Sequence, residues 1–163
     1  MRTEIKDVVS NQSASKANPS LKGLEILVGE WDTEMSDMSF VTDPSARFRG
    51  HASFQWLEGG AFLIMYMGGE LGGAPSSAIE VIGRDESAYG YSVLYFDSRG
   101  ISRIYQMSLG GSEWKLWRNS PEFSQRFTGT FSDDGNTIAA RWEKSTDGVR
   151  WEHDFNLTYT KVK

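Results

Sequence analysis

The sequence predicts an all-β fold, an antiparallel up-and-down barrel of about ten strands behind one short N-terminal helix. Three observations carry this. Apolar residues switch from a helical spacing to strict alternation at Glu30. Turn signals then return about every ten residues. The segments between them are rich in Phe, Tyr, Trp, Val, Ile and Thr, the residues that suit a pleated, half-buried surface.

Taken in order, residues 1–19 are polar and without period, and are expected to form a mobile arm ahead of a single barrel domain over 20–163. In Pro19–Gly29, Leu21, Leu24 and Leu27/Val28 recur at helical spacing, Ser20 is a suitable N-cap and Gly29 a stop. Two turns of amphipathic helix are not stable alone, so this segment must lie on an apolar surface. Strands are expected near 30–39, 46–57, 61–68, 77–83, 88–96, 101–109, 112–118, 123–132, 137–144 and 149–161. Turns stand at Glu58-Gly59-Gly60, Gly83–Glu86, Asp97–Gly100, Gly110-Gly111, Asn119–Glu122, Asp133–Asn136 and Thr146–Gly148, and two of these contain Asp-Gly, which tolerates the positive φ of tight hairpins. Gly68–Pro75 is expected to be the one longer loop, a flexible hairpin tip or lid. Ten strands in an open sheet would leave two unpaired edges, and closure removes them. A sandwich is the competing arrangement, but uniformly short connections favour the barrel.

Composition sets limits on function. With 13% aromatic residues the chain is not a disordered one. No cysteine is present, which excludes disulfides, zinc–thiolate sites and iron–sulfur sites. A net charge of −5 argues against a nucleic-acid surface, because phosphate binding needs clustered Lys and Arg. The longest apolar run, Ala61–Met67, is far too short to span a membrane as a helix, and the N-terminus carries charges where a signal peptide needs apolar residues. A cytoplasmic protein with no nucleic-acid or membrane partner is the expectation.

Alternation sorts each strand into two faces. Phe48, Gly50, Ala52, Phe54 and Trp56 fall on one side of the second strand; Arg103, Tyr105, Met107 and Leu109 on one side of the sixth; Trp114, Leu116 and Arg118 of the seventh; Gln125, Phe127, Gly129 and Phe131 of the eighth; Ile138, Ala140 and Trp142 of the ninth; and Trp151, His153, Phe155, Leu157 and Tyr159 of the last. Among these inward residues Arg103, Tyr105, Arg118, Gln125 and His153 are polar. A buried polar group without a partner costs about 1–3 kcal/mol and a charge far more. The two arginines therefore either meet an anionic ligand or a carboxylate, or hydrogen-bond loop carbonyls at the rim. Few inward acids are expected, and Asp97 at a strand end is the candidate partner.

Other chemistry leaves no pattern. Two histidines and no cysteine do not form a metal set, so no metal site is expected. Gly68–Gly73 lacks the following Lys-Ser/Thr of a phosphate loop, no Gly-x-Ser-x-Gly elbow occurs, and Asp133–Asn136 is too short for a calcium loop.

Gly29-Glu30-Trp31, a Gly-x-Trp entering the first strand after a short helix, is similar to the opening of calycin-superfamily barrels: lipocalins, fatty-acid-binding proteins and nitrobindins. Four segments, Phe54–Leu63, Tyr95–Tyr105, Trp114–Arg118 with Phe127–Phe131, and Trp142–Gly148 with Trp151–Phe155, resemble a family of small bacterial proteins of unassigned function with a lipocalin-like barrel. The resemblance spans about residues 20–162 and implies the barrel without an activity. Nitrobindin-type haem barrels carry a glycine-rich extension of the Gly-x-Trp motif that Gly29–Met35 lacks, and their haem-ligating histidine corresponds to His153 in rough position only. Arg103-Ile104-Tyr105 resembles the Arg-x-Tyr pair with which fatty-acid-binding proteins hold a carboxylate, although here it lies on the sixth strand.

The leading expectation is a small-molecule-binding barrel holding an apolar ligand with an acidic or polar head, lined by Arg103, Tyr105, Trp114, Arg118, Gln125, Trp142 and His153, without a cofactor. Haem ligated by His153 is the alternative. An enzyme using His153 or Asp97 as general base ranks below it. A fourth reading, a function in an outer-surface contact or a homodimer contact, is favoured by the outward Trp117.

Overall fold

A computed structural model describes residues 19–84 and 90–163. The expected N-terminal arm lies outside the described residues except for Pro19, and so does the expected start of the fifth strand at 88. Ten antiparallel strands form one closed barrel: β1 Gly29–Ser36, β2 Phe48–Trp56, β3 Leu63–Leu71, β4 Ala74–Gly83, β5 Tyr91–Asp97, β6 Ser102–Gly110, β7 Glu113–Arg118, β8 Ser124–Phe131, β9 Thr137–Ser145 and β10 Glu152–Lys161. Each strand pairs with its sequence neighbours, and β1 pairs with β10 from Trp31↔Lys161 to Ser36↔Asn156. Closure leaves no free edge, which is the physical reason for preferring it over a sandwich.

The N-terminal helix differs from the expectation in pitch. Pro19–Leu27 is a 3₁₀ helix, and its buried residues Leu21, Leu24 and Leu27 repeat every three residues, the period that a 3₁₀ helix stacks on one face. This segment plugs the end of the barrel where β1, β3 and β5 begin. Trp31 Nε1 donates to the Leu27 carbonyl at 2.8 Å, and Trp56 Nε1 donates to Glu25 Oε2 at 2.9 Å. Beneath it Trp31, Phe54, Leu63, Ile82, Val93, Met107, Trp114, Phe127 and Ile138 are buried inside the barrel.

Two connections depart from the sequence reading. The expected loop at Gly68–Pro75 is strand: β3 and β4 run on to Leu71 and Ala74, and only Gly72 and Gly73 turn, at φ +61° and +80°. Those two positive φ values are what a two-residue hairpin demands. Pro75 pairs with Glu70, while the β4–β5 ladder starts only at Ala78↔Asp97, so its missing N–H costs no hydrogen bond on that side. The longer connection is 37–47, which folds against β10: the Ser39 N–H donates to the Asp154 carbonyl at 2.7 Å, and the Phe40 and Phe155 rings meet edge-on at 6.3 Å.

The inward sets hold for β6 to β9. In β10 they do not hold throughout. The register shifts between His153 and Phe155, and Asp154 is buried, 7% exposed, against the 37–47 connection, where it accepts from Ser39 Oγ and lies 3.3 Å from Lys144 Nζ. One extra residue reverses the faces ahead of it. Trp151 consequently lies outside the lumen, under the outward Arg126 guanidinium at 4.3 Å.

Candidate functional site

The candidate residues gather at the end opposite the 3₁₀ plug, because β6, β8 and β10 begin there and β5, β7 and β9 finish there. Arg103 and Tyr105 open β6, Arg118 closes β7, Gln125 opens β8 and Trp142 lies near the end of β9.

The β6–β7 ladder covers only Gln106↔Trp117 to Gly110↔Glu113. Residues Ser102–Tyr105 run past the end of β7, and the wall parts there. The gap is a cleft of about 710 Å³, lined by Arg103 and Arg118 from the inner face and by Leu94, Phe96, Ile104, Gln106 and Trp117 from the outer one. The inward arginines therefore reach solvent sideways through the wall.

Their partners are few. Tyr105, buried, donates its hydroxyl to Gln125 Oε1 at 2.6 Å. Arg103 Nη1 reaches the same oxygen only at 3.4 Å, and its guanidinium lies over the Phe123 ring at 4.9 Å and the Tyr95 ring at 5.9 Å. Arg118 makes neither hydrogen bond nor ion pair among the described residues. Burial raises the Tyr105 phenol above its ordinary value, and the Arg103 and Arg118 charges act against that rise. An unpaired guanidinium fork beside aromatic rings suits a planar anionic group.

Asp97 is not the expected partner of these arginines. It accepts from Arg99 Nη2 at 2.7 Å, the Tyr95 hydroxyl at 2.9 Å and the Arg99 N–H at 2.9 Å. The Arg99 guanidinium beside it holds its carboxyl well below the usual carboxylate range. So committed, it is a poor general base. Among the described residues no group of three or more His, Asp or Glu could hold a metal ion, and no helix is long and apolar enough to cross a membrane.

The family model described as a protein of unknown function, DUF1579, matches residues 17–113. The chain belongs to the DUF1579 family. No curated protein matches it. Among solved structures it is similar to Rv2717c from M. tuberculosis, with a TM-score of 0.65 at 15% identity, covering 91% of this chain and 100% of that one. At that identity the likeness is one of fold.

Within this DUF1579 barrel the remaining candidates separate. Trp114 is not at the cleft; it is 2% exposed in the core against Phe127, ring centroids 4.7 Å apart. Trp142 is half-buried and joins the core to the site through Tyr105, at 5.8 Å. His153 stands apart at the rim, where its Nε2 donates to the Asp37 carbonyl at 2.8 Å and lies 3.1 Å from the Asp37 carboxylate. That tautomer leaves Nδ1, buried, without a partner. A haem ligand needs a free ring nitrogen facing open space, and His153 offers none, so these residues do not fit haem.

The sequence reading missed Glu80. It lies on the inner face of β4 and is 7% exposed. The alternation Ala78, Glu80, Ile82 was the signal that could have found it.

Proposed function

We propose that this barrel, of lipocalin-like calycin type, binds a small apolar molecule with an acidic head. The acidic group meets Arg103 and Arg118, and the apolar part lies along Leu94, Phe96, Ile104 and Trp117 or enters beside Trp142. The observation that carries this is a pair of arginines without carboxylate partners among the described residues, in a cleft that also presents Leu94, Phe96, Ile104 and Trp117 beside polar Gln106 and Asn119. Native mass spectrometry of the purified full chain tests it. A co-purified anionic amphiphile, lost from the Arg103→Gln/Arg118→Gln variant, supports the reading, and a ligand that survives both substitutions refutes it.

A second reading has its own observation. Tyr66↔Ile79↔Phe96 and Leu94↔Ile104 are cross-strand neighbours on the outer face, all exposed, with Ile104 at 64%. Continuous apolar surface of this kind marks contact sites, and we propose a second copy of the chain as its partner. Analytical ultracentrifugation decides: a dimer that Ile104→Lys dissociates favours it, whereas a monomer at all concentrations excludes it.

A further inference from the structure

Glu80 is a buried acid for which the cleft has no use. Among the described residues its carboxyl makes neither hydrogen bond nor ion pair, and burial alone acts on it. The register places it directly in line with the arginine site. Glu80 stands opposite Tyr95, and Tyr95 stands opposite Arg103. All three point inward, so they form one row across the wall of β4, β5 and β6, and two strand spacings separate the ends by about 10 Å. The opposite charges at those ends do not meet. Arg103 turns away to the Phe123 ring, with Tyr95 between it and Glu80.

The far wall supplies a second polar group without a partner. The Tyr159 hydroxyl on β10 makes no hydrogen bond among the described residues and is raised by burial and by the Glu80 charge. Its ring is 5.8 Å from that of Trp114, whose Nε1 is enclosed and unpaired. Glu80 and Tyr159 are only 7% and 4% exposed, so both polar groups are buried within the barrel. A carboxylate left in such a place without a cation is costly, and Glu80 keeps its proton until about pH 7.

We infer that the ligand of this site is dipolar, with an acidic group on Arg103 and Arg118 and an amino group at its other end on Glu80, its apolar chain lying on the rings of Tyr95 and Tyr105. This rests on the acidic-head reading above and adds the second pole. An ammonium supplies the missing counter-charge to Glu80, and the aromatic walls attract it as well. Glu80 gives up its proton to solvent as the ammonium binds. With no acceptor there, placing an ammonium in an apolar lumen would weaken binding, so the sign of the effect is diagnostic.

Isothermal titration of the full chain with octanoate and ω-aminooctanoate tests this, in two buffers of different ionisation enthalpy at pH 6.5. The expected result is binding about tenfold tighter for the amino acid, with proton release that octanoate does not cause. Glu80→Gln should abolish both the advantage and the proton release while leaving octanoate affinity unchanged. γ-Aminobutyrate, too short to reach both poles, should bind weakly. Equal or weaker binding of ω-aminooctanoate in the natural protein overturns the inference without any variant, as does an advantage that survives Glu80→Gln in a protein with an unchanged melting profile. If octanoate binds and loses affinity in Arg103→Gln while the amino group adds nothing, the second pole alone is wrong. If neither compound binds, or both ignore Arg103→Gln, the acidic-head reading falls with it.

Discussion

The Tyr105 hydroxyl donates to Gln125 Oε1 at 2.6 Å, and Arg103 shares that oxygen only at 3.4 Å. A buried amide oxygen at that range is the natural acceptor for a nearby guanidinium. Tyr105 holds it closely, while Arg103 approaches only to 3.4 Å and also rests on the Phe123 ring.

Tyr105→Phe removes the donor and frees the oxygen. Gln125 can then take Arg103 fully. Stability should fall by about 1 kcal/mol, the net worth of one such hydrogen bond, in urea unfolding. Affinity for an anionic ligand should fall too, because the guanidinium becomes committed.

Glu80 should make the fold less stable as pH rises from about 4.5 to 7. Burial raises its folded pKa from 4.5 to about 7. A raised value means that the folded state holds the proton more tightly. Its stabilising contribution is complete below pH 4.5 and is lost as pH rises through 7. The span corresponds to about 3 kcal/mol. Glu80→Gln should flatten this part of the profile of unfolding free energy against pH, and an unchanged slope would show that Glu80 is ionised in the fold.

His51 acts in the same direction on the outer face. Its Nε2 lies 2.5 Å from Glu30 Oε2 and its Nδ1 3.3 Å from Asp32 Oδ1. The hydrogen bond to Glu30 is the main cause of its raised pKa. The pair should stabilise the barrel below the ordinary histidine range, and the contribution should fade as pH rises through the raised folded value. Both groups are partly exposed, so salt should weaken the effect. NMR titration of His51, natural and Glu30→Gln, measures it directly; the variant should titrate at lower pH.

Asp97 organises the β5–β6 turn through Arg99, Tyr95 and two backbone N–H groups. Asp97→Asn should cost about 1–3 kcal/mol in urea unfolding. Its depressed pKa stabilises the fold above the ordinary carboxylate range, and that contribution disappears as pH falls through the folded value. The variant should therefore lose part of the acid sensitivity of the natural protein.

Most of the barrel was legible because its signals are local. Alternation places Arg103, Tyr105 and Arg118 on the inner face without any tertiary knowledge, and Asp-Gly pairs mark turns. What depended on neighbouring strands was not legible. The bulge at Asp154 is a mismatch between β9 and β10, which no single strand records, and it moved Trp151 out of the lumen. The parting of β6 from β7 arises because β7 ends at Arg118 while β6 begins at Ser102, and strand lengths are the weakest part of any sequence reading. Glu80 lay on a readable alternation, but its importance comes from the row it shares with Tyr95 and Arg103, which only register reveals. His153 looked lumenal by parity and is held at the rim by Asp37 from the distant 37–47 connection.

Recognition of an acidic head by Arg103 and Arg118 is tested most directly by titration calorimetry with dodecanoate and dodecanol on the natural chain and on Arg103→Gln/Arg118→Gln. The account requires dodecanoate to bind the natural protein about tenfold or more tighter than the alcohol, with that preference gone in the variant while both compounds retain the weaker, apolar affinity. Equal binding of acid and alcohol to the natural protein, or a preference for the acid that persists without either arginine, would contradict it.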